Sequence, residues 1–130
     1  MKILMFSLLI LISSVGIAFA DPITAQTSFD EKIHFVDEQI MLMADISNNQ
    51  DTQQNFAYLT QVRDNDDVVI SLSWLTGSLS PRQSFSPAQS WLPTESGIYH
   101  IEVFVWESID NPSALSPPLF MTVNVIERQT

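Results

Sequence analysis

The sequence predicts a small all-β protein, a single sandwich of about seven antiparallel strands behind an exported leader. Three observations support this fold class. Short apolar runs alternate with polar residues at a period of two, turn-forming residues interrupt these runs at close spacing, and no helical period appears behind the leader. Residues 21–130 are then about the size of one two-sheet domain.

The first 20 residues have the organisation of a signal peptide. Lys2 supplies a positive charge, residues 3–12 are almost entirely apolar, and Ala18 and Ala20 form a cleavage site of the small-x-small type. We therefore expect a secreted or cell-surface domain with no membrane attachment after cleavage. An uncleaved leader kept as an anchor is the alternative, because its apolar length approaches the roughly 20 residues that cross a bilayer.

Charge and cysteine content exclude several classes of function. Fifteen acidic residues against five basic ones give a formal net charge of −10, so nucleic acids and other polyanions are poor partners. The chain has no cysteine, which removes both disulfides and thiolate zinc sites. We expect a fold held by apolar packing alone, with no cofactor.

The first half of the domain contains four predicted strands. The segment 21–27 is a short polar connector, and the strands that follow are at residues 32–36, 40–46, 56–62 and 68–75. The last two are joined by a loop dense in Asp and Asn, whose side chains bond their own backbone and tolerate left-handed geometry. This pair is the clearest hairpin in the sequence.

The second half contains three more predicted strands. Residues 76–81 break the pattern, and a weaker strand follows at 82–91, where Pro87 indicates an edge or a kink. The strongest strand is at 97–107. After a loop with three prolines, residues 119–126 form the last strand.

The second half also resembles a known group of domains. The pattern Phe85-Ser86-Pro87 through Trp91-x-Pro93, then Gly97-x-Tyr99-x-Ile101-x-Val103, resembles the end of extracellular immunoglobulin-like and fibronectin type III-like domains. These include the CARDB-type adhesion modules, and the likeness is greatest to archaeal secreted or cell-surface versions. The resemblance covers roughly the last half of the chain and specifies fold better than function.

The resemblance implies a role for two residues of the strongest strand. Tyr99 would form the tyrosine corner, in which the hydroxyl bonds upstream backbone, and Ile101 would stand where antibody domains keep a cysteine. The sequence lacks the cysteine pair and the usual core tryptophan, and Tyr58 or Phe56 would fill that space.

This orientation also predicts a binding surface. If Tyr99 and Ile101 face inward, alternate residues of the strand face outward, because adjacent side chains leave a strand on opposite faces. An envelope protein or surface polymer is the expected partner, and cover by a loop or a neighbouring strand is the alternative. The candidate surface combines outward residues of this strand with the following loop: His100, Phe104, Trp106, Ile109, Asp110 and Asn111.

Two cation sites are weaker alternatives. Asp64, Asp66 and Asp67 supply the hard oxygen ligands that calcium requires, although the spacing is not that of an EF-hand and a hairpin turn needs the same residues. The softer ligands are two methionines and two histidines, which suit copper but are also ordinary packing and surface residues: Met41, Met43, His34 and His100.

Catalytic motifs are lacking in the sequence. It contains no Gly-x-Ser-x-Gly elbow, and no spacing places a nucleophile, a base and an orienting group together. A small hydrolase would need a pocket with a serine or carboxylate beside His34 or His100. The sequence therefore predicts a non-enzymatic structural or protein-binding module, with a secreted cation-binding protein as the alternative.

Overall fold

The computed structural model describes residues 21–28 and 33–129, so the leader predicted at 1–20 lies outside the described residues. Within those ranges the chain is built from strands, and no helix capable of crossing a membrane is present. The strands are β1 (Ile23–Thr27), β2 (His34–Phe35), β3 (Ile40–Asn48), β4 (Gln54–Arg63), β5 (Val69–Leu79), β6 (Ser84–Phe85), β7 (Ala88–Trp91), β8 (Gly97–Trp106) and β9 (Leu119–Ile126).

The strands form two sheets. The smaller sheet has β3 at its centre, with β1 on one side and the short strands β6 and β7 on the other. The larger sheet has the order β2-β9-β8-β4-β5, and its pairs are antiparallel except β2 with β9. The predicted all-β sandwich is therefore confirmed.

Alternation along the strands builds the core. In β3 the residues at every second position are buried, while Met41 and Met43 between them are exposed. In β8 Tyr99 is 5% exposed and Ile101 is 1% exposed, and both belong to the cluster packed between the sheets. The predicted inward face of the strongest strand is confirmed.

Tyr99 forms the expected tyrosine corner. Its hydroxyl donates a hydrogen bond of 2.6 Å to the backbone carbonyl of Glu95, four residues upstream. Its ring meets Trp91 edge-on, with the ring centroids 4.7 Å apart. On the neighbouring strand β4, Tyr58 is fully buried, and Tyr58 and Phe56 both belong to the core cluster.

Two predictions about the strands were wrong. The segment predicted as a polar connector is the strand β1, because Ile23 is fully buried and all five residues pair with β3. The predicted break after residue 75 does not occur, and β5 continues to Leu79. Gly77 lies directly opposite Phe56, and a Cβ at position 77 would come within 3.1 Å of the Phe56 ring, which would have to move slightly.

Two further strands differ from their predicted limits. The weak strand predicted at 82–91 is divided into β6 and β7 by Pro87, as expected for a residue that cannot donate to the sheet. The strand predicted at 32–36 is limited to His34 and Phe35, and position 32 lies outside the described residues.

Candidate functional site

The outer face of the larger sheet carries a continuous row of apolar side chains. On β4, Leu59 pairs directly with Trp74 of β5 on one side and with Phe104 of β8 on the other. Two residues before Leu59 on β4, Ala57 pairs with Trp106. Leu72 precedes Trp74 by two residues on the same face of β5 and extends the row. We call the set Leu59, Leu72, Trp74, Phe104 and Trp106 the aromatic face.

Exposure differs across the aromatic face. Leu59 and Ala57 are buried although neither belongs to the core cluster between the sheets, and both lie on the central strand β4 with bulky residues paired beside them. Phe104 and Trp106 are half-buried, with ring centroids 5.7 Å apart. Trp74 is 58% exposed. The β5 side is therefore the most solvent-exposed part of the aromatic face.

The opposite end of the same outer face is charged. Arg63 at the end of β4 forms ion pairs with Glu102 of β8 and with Asp67, the second at 3.3 Å. His100 lies beside Arg63 on the sheet surface. Phe120 of β9 is 67% exposed and pairs with Glu102. The predicted surface residue His100 thus lies at the charged end of the sheet, away from the aromatic face.

The loop after β8 is tied back to the strand from which it leaves. The backbone N–H of Leu115 donates to the carbonyl of Val105 at 2.8 Å, and Trp106 forms a bridge with Ala114. Asn111 is held by Glu107, to which its side-chain amide donates at 2.6 Å.

The predicted loop residues lie at the tip of this structure. Ile109, Asp110 and Asn111 are exposed there. They follow Trp106 in the chain, so the loop tip stands at the aromatic end of the sheet.

The acidic turn between β4 and β5 is organised by one carboxylate. Oδ1 of Asp64 accepts hydrogen bonds from the backbone N–H groups of Asp66 at 2.9 Å and Val68 at 3.0 Å. Asp67 has a left-handed backbone, with a φ of 66°. These are the bonds that make an Asp-rich hairpin turn without a metal.

The structure adds a fourth carboxylate near this turn that the sequence did not indicate. Glu95 lines a shallow pocket with Asp64, Asp66 and Tyr99. Burial, with the negative charges of Glu95 and Asp64, raises the pKa of Tyr99 above its ordinary value. Among residues 21–28 and 33–129, no group of three or more His, Asp or Glu side chains is arranged to hold a metal ion.

The copper candidates are not brought together. Met41 and Met43 face outward from the smaller sheet, whereas His100 lies on the outer face of the larger sheet. His34 belongs to β2 at the edge of the larger sheet. The core of the sandwich separates the methionine pair from His100, so these residues form no common site.

The sequence did not indicate the three most exposed large apolar residues on the outer face of the larger sheet. Leu72, Trp74 and Phe120 are each more than half exposed, and none was among the candidates. A signal for two of them was present, because Leu72 and Trp74 are two positions apart in a strand and so share a face. Which residues lie beside them on β4 depends on how the strands pair, and this cannot be read from the sequence.

Comparison with solved structures identifies the fold. A CARDB domain from Pyrococcus furiosus, determined in complex with di-metal ions, is 16% identical, with 82% of this chain and 92% of that chain covered at a TM-score of 0.57. The ASH/PapD-like domain of human CEP192 is 13% identical, with 84% and 88% covered and a TM-score of 0.55. The chain therefore has an immunoglobulin-like β-sandwich fold.

The same fold also occurs as a part of larger enzymes. A β-glucosidase from Listeria innocua, in complex with gluconolactone, is 12% identical over 79% of this chain at a TM-score of 0.63. The match spans only 16% of that enzyme's chain. No protein-family profile matches the sequence, and no curated protein matches it.

Proposed function

We propose that this chain is a non-enzymatic module of the cell surface or the secreted space. It contacts another protein or a surface polymer of the cell envelope through the aromatic face. The observation that carries the proposal is the contiguity of that face across three strands. Large apolar patches on small proteins mark contact sites, and Trp and Phe are enriched at the centres of interfaces.

The surroundings of the face suit a contact surface. Polar and charged groups lie at both ends of the aromatic face, with Arg63 and Glu102 at one end and the loop tip with Asp110 and Asn111 at the other. Protein interfaces have this arrangement of an apolar centre and a polar rim. The rigid sheet fixes the positions of the rings, which lowers the entropy lost on binding.

Two observations favour a binding role over catalysis. His100 lies on the outer surface of the sheet, between Arg63 and Thr122, and it is not among the residues that line the pockets described around the sandwich. In the matches to a β-glucosidase and a β-glucuronidase, the shared fold covers 16% or less of the enzyme's chain. In those enzymes the sandwich is therefore a small part of a much longer chain.

A cation role has less support. The Pyrococcus CARDB domain was determined with di-metal ions. In this chain the Asp64 carboxylate already accepts two backbone hydrogen bonds, and Met41 and Met43 lie across the core from His100. Calorimetric titration with calcium and with copper tests this alternative, and saturable heat with either ion would support it over the contact surface.

A capture experiment tests the proposed contact surface. The tagged domain is incubated with native cell envelope, and captured material is compared between wild type and the Phe104→Ser/Trp106→Ser variant. We expect the variant to lose the captured component. The Met41→Ser/Met43→Ser variant is the matched control, since it removes two apolar side chains from the opposite outer face and should capture normally. Equal capture by all three proteins would contradict the proposal.

A further inference from the structure

The strand β5 forms a long free edge of the larger sheet. Among the described strands it pairs only with β4, so the backbone groups along its other side have no strand beside them. It is 11 residues long. Residues 68–80 contain no charged side chain and no proline. A row of unpaired N–H and C=O groups on such a strand is a template for pairing with another strand.

The remaining edges within the described part of the chain are poor templates. At the far end of the larger sheet, β2 has only two residues. In the smaller sheet β1 has five residues, and Pro87 divides β6 from β7. Short edge strands and proline are the ordinary means of preventing edge-to-edge pairing. Only β5 lacks any such device among the strands described.

The composition of β5 is unusual for an exposed edge. Its outward apolar side chains include Leu72 at 52% and Trp74 at 58% exposure. The chain as a whole has a formal net charge of −10, and repulsion between copies opposes their approach. The charge-free strand is the place where two acidic copies can meet with least repulsion, and opposing side chains there are neutral.

We infer that β5 pairs antiparallel with β5 of a second copy of this chain. The contact is then isologous, with the same strand contributed by both copies about a two-fold axis. Full overlap of the 11-residue strands places Trp74 on the axis, directly opposite Trp74 of the other copy. In the same register Leu72 faces Thr76 of the other copy.

This pairing has a consequence for the aromatic face. Residues directly opposite in an antiparallel pair lie on the same side of the sheet. The two copies therefore present their outer faces on one side, and the two rows of apolar side chains meet at the paired Trp74 rings. Each protomer extends the other's surface, whatever partner the surface contacts. The dimer does not depend on the proposed envelope partner, and it is tested without one.

Charge placed on the axis tests the pairing. Sedimentation equilibrium of the domain comprising residues 21–130 should show a dimer. Trp74→Lys and Trp74→Glu should each raise the dimer dissociation constant about tenfold or more, because each variant loses the Trp pair and places like charges opposite each other. An equimolar mixture of the two variants should recover dimer, because Lys then faces Glu. Phe120→Lys is the matched control, which adds the same charge to the same outer face on β9 and should stay dimeric.

Three results would overturn the inference. These are a wild-type domain that remains monomeric at several hundred micromolar, a Trp74→Lys variant as dimeric as Phe120→Lys, or a Lys and Glu mixture that stays monomeric. If a Trp74 variant fails to fold, Leu72→Lys replaces it. Leu72→Lys alone should weaken the dimer, and adding Thr76→Glu in the same chain should restore it, because these positions face each other in the full-overlap register.

Discussion

Two buried tyrosines in neighbouring strands differ in what their hydroxyls do. The Tyr99 hydroxyl donates to the carbonyl of Glu95. The Tyr58 hydroxyl is buried close to the Thr60 hydroxyl, but the two do not meet at hydrogen-bonding geometry. A satisfied hydroxyl contributes to stability, and an unsatisfied buried one costs free energy. The same residue type therefore has opposite effects at two positions of one core.

This difference can be measured with single-atom changes. Tyr99→Phe should lower the free energy of unfolding by about 1 kcal/mol because it removes the hydrogen bond to Glu95. Tyr58→Phe removes the same atom from a site without a bond, and its stability should be unchanged or slightly higher. Urea denaturation of both variants makes the comparison. A larger loss for Tyr58→Phe than for Tyr99→Phe would contradict these assignments.

The tyrosines also predict how stability depends on pH. Burial raises the pKa of Tyr58 to about 12, with a smaller opposing effect from the Thr60 hydroxyl. Above pH 10 the unfolded chain releases this proton while the folded chain retains it, so stability falls as pH rises. The loss from Tyr58 should reach about 2 to 3 kcal/mol at pH 12 and above.

Urea denaturation at pH 9 and at pH 11 checks this expectation. The free energy of unfolding should be undiminished at pH 9 and lower at pH 11. The raised pKa of Tyr99 acts in the same direction. Tyr58→Phe isolates the contribution, since the variant should lose less stability over the same interval. An equal loss in the variant would show that other groups cause the decline.

At the scale of elements, the hairpin of β4 and β5 depends on the turn that joins them. The Asp64 carboxylate accepts two backbone N–H groups, while no hydrogen bond of the turn uses the side chain of Asp66. Asp64→Ala should therefore destabilise the domain by about 1 kcal/mol, and Asp64→Asn should retain most of that stability because its amide oxygen still accepts. Asp66→Ala should have little effect.

Thermal melting with calcium and with chelator separates the turn from a metal site. The three variants should behave alike in both solutions. Stabilisation of the wild type by calcium, lost equally in Asp64→Ala and Asp66→Ala, would contradict the turn and identify a cation site.

The elements that could be predicted from the sequence are those with local signals. The alternation in β3, β4 and β8 and the Asp-rich turn are local, and Pro87 correctly indicated a weak or kinked edge. The strand β1 and the end of β5 depend on distant residues. Ile23 becomes a strand residue by pairing with β3, and Gly77 is tolerated because Phe56 lies opposite it. Such contacts are not visible from local composition.

At the scale of the whole molecule, the same limit applies to the candidate site. The alternation of one strand was enough to place Phe104 and Trp106 on the outer face. The continuity of that face with Leu59 and Trp74 required the order β8-β4-β5, which only the assembled sheet contains. A surface made by three strands is therefore a property of the fold, and its two exposed β5 residues were missed for that reason.

The strand β8 divides its side chains between two faces, of which the inner packs in the core and the outer belongs to the proposed contact surface. Val103 and Val105 are each 1% exposed in the core. Phe104 and Trp106, which alternate with them along the strand, lie on the outer face. Burial of each valine contributes about 1.5 to 3 kcal/mol, a large share of a small domain's stability.

Equilibrium unfolding of two double variants separates the two faces. Phe104→Ser/Trp106→Ser should unfold cooperatively with a modest loss of stability, whereas Val103→Ser/Val105→Ser should fail to fold. Unfolding of the outward pair at least as severe as that of the inward pair would contradict this division, because Phe104 and Trp106 would then belong to the core.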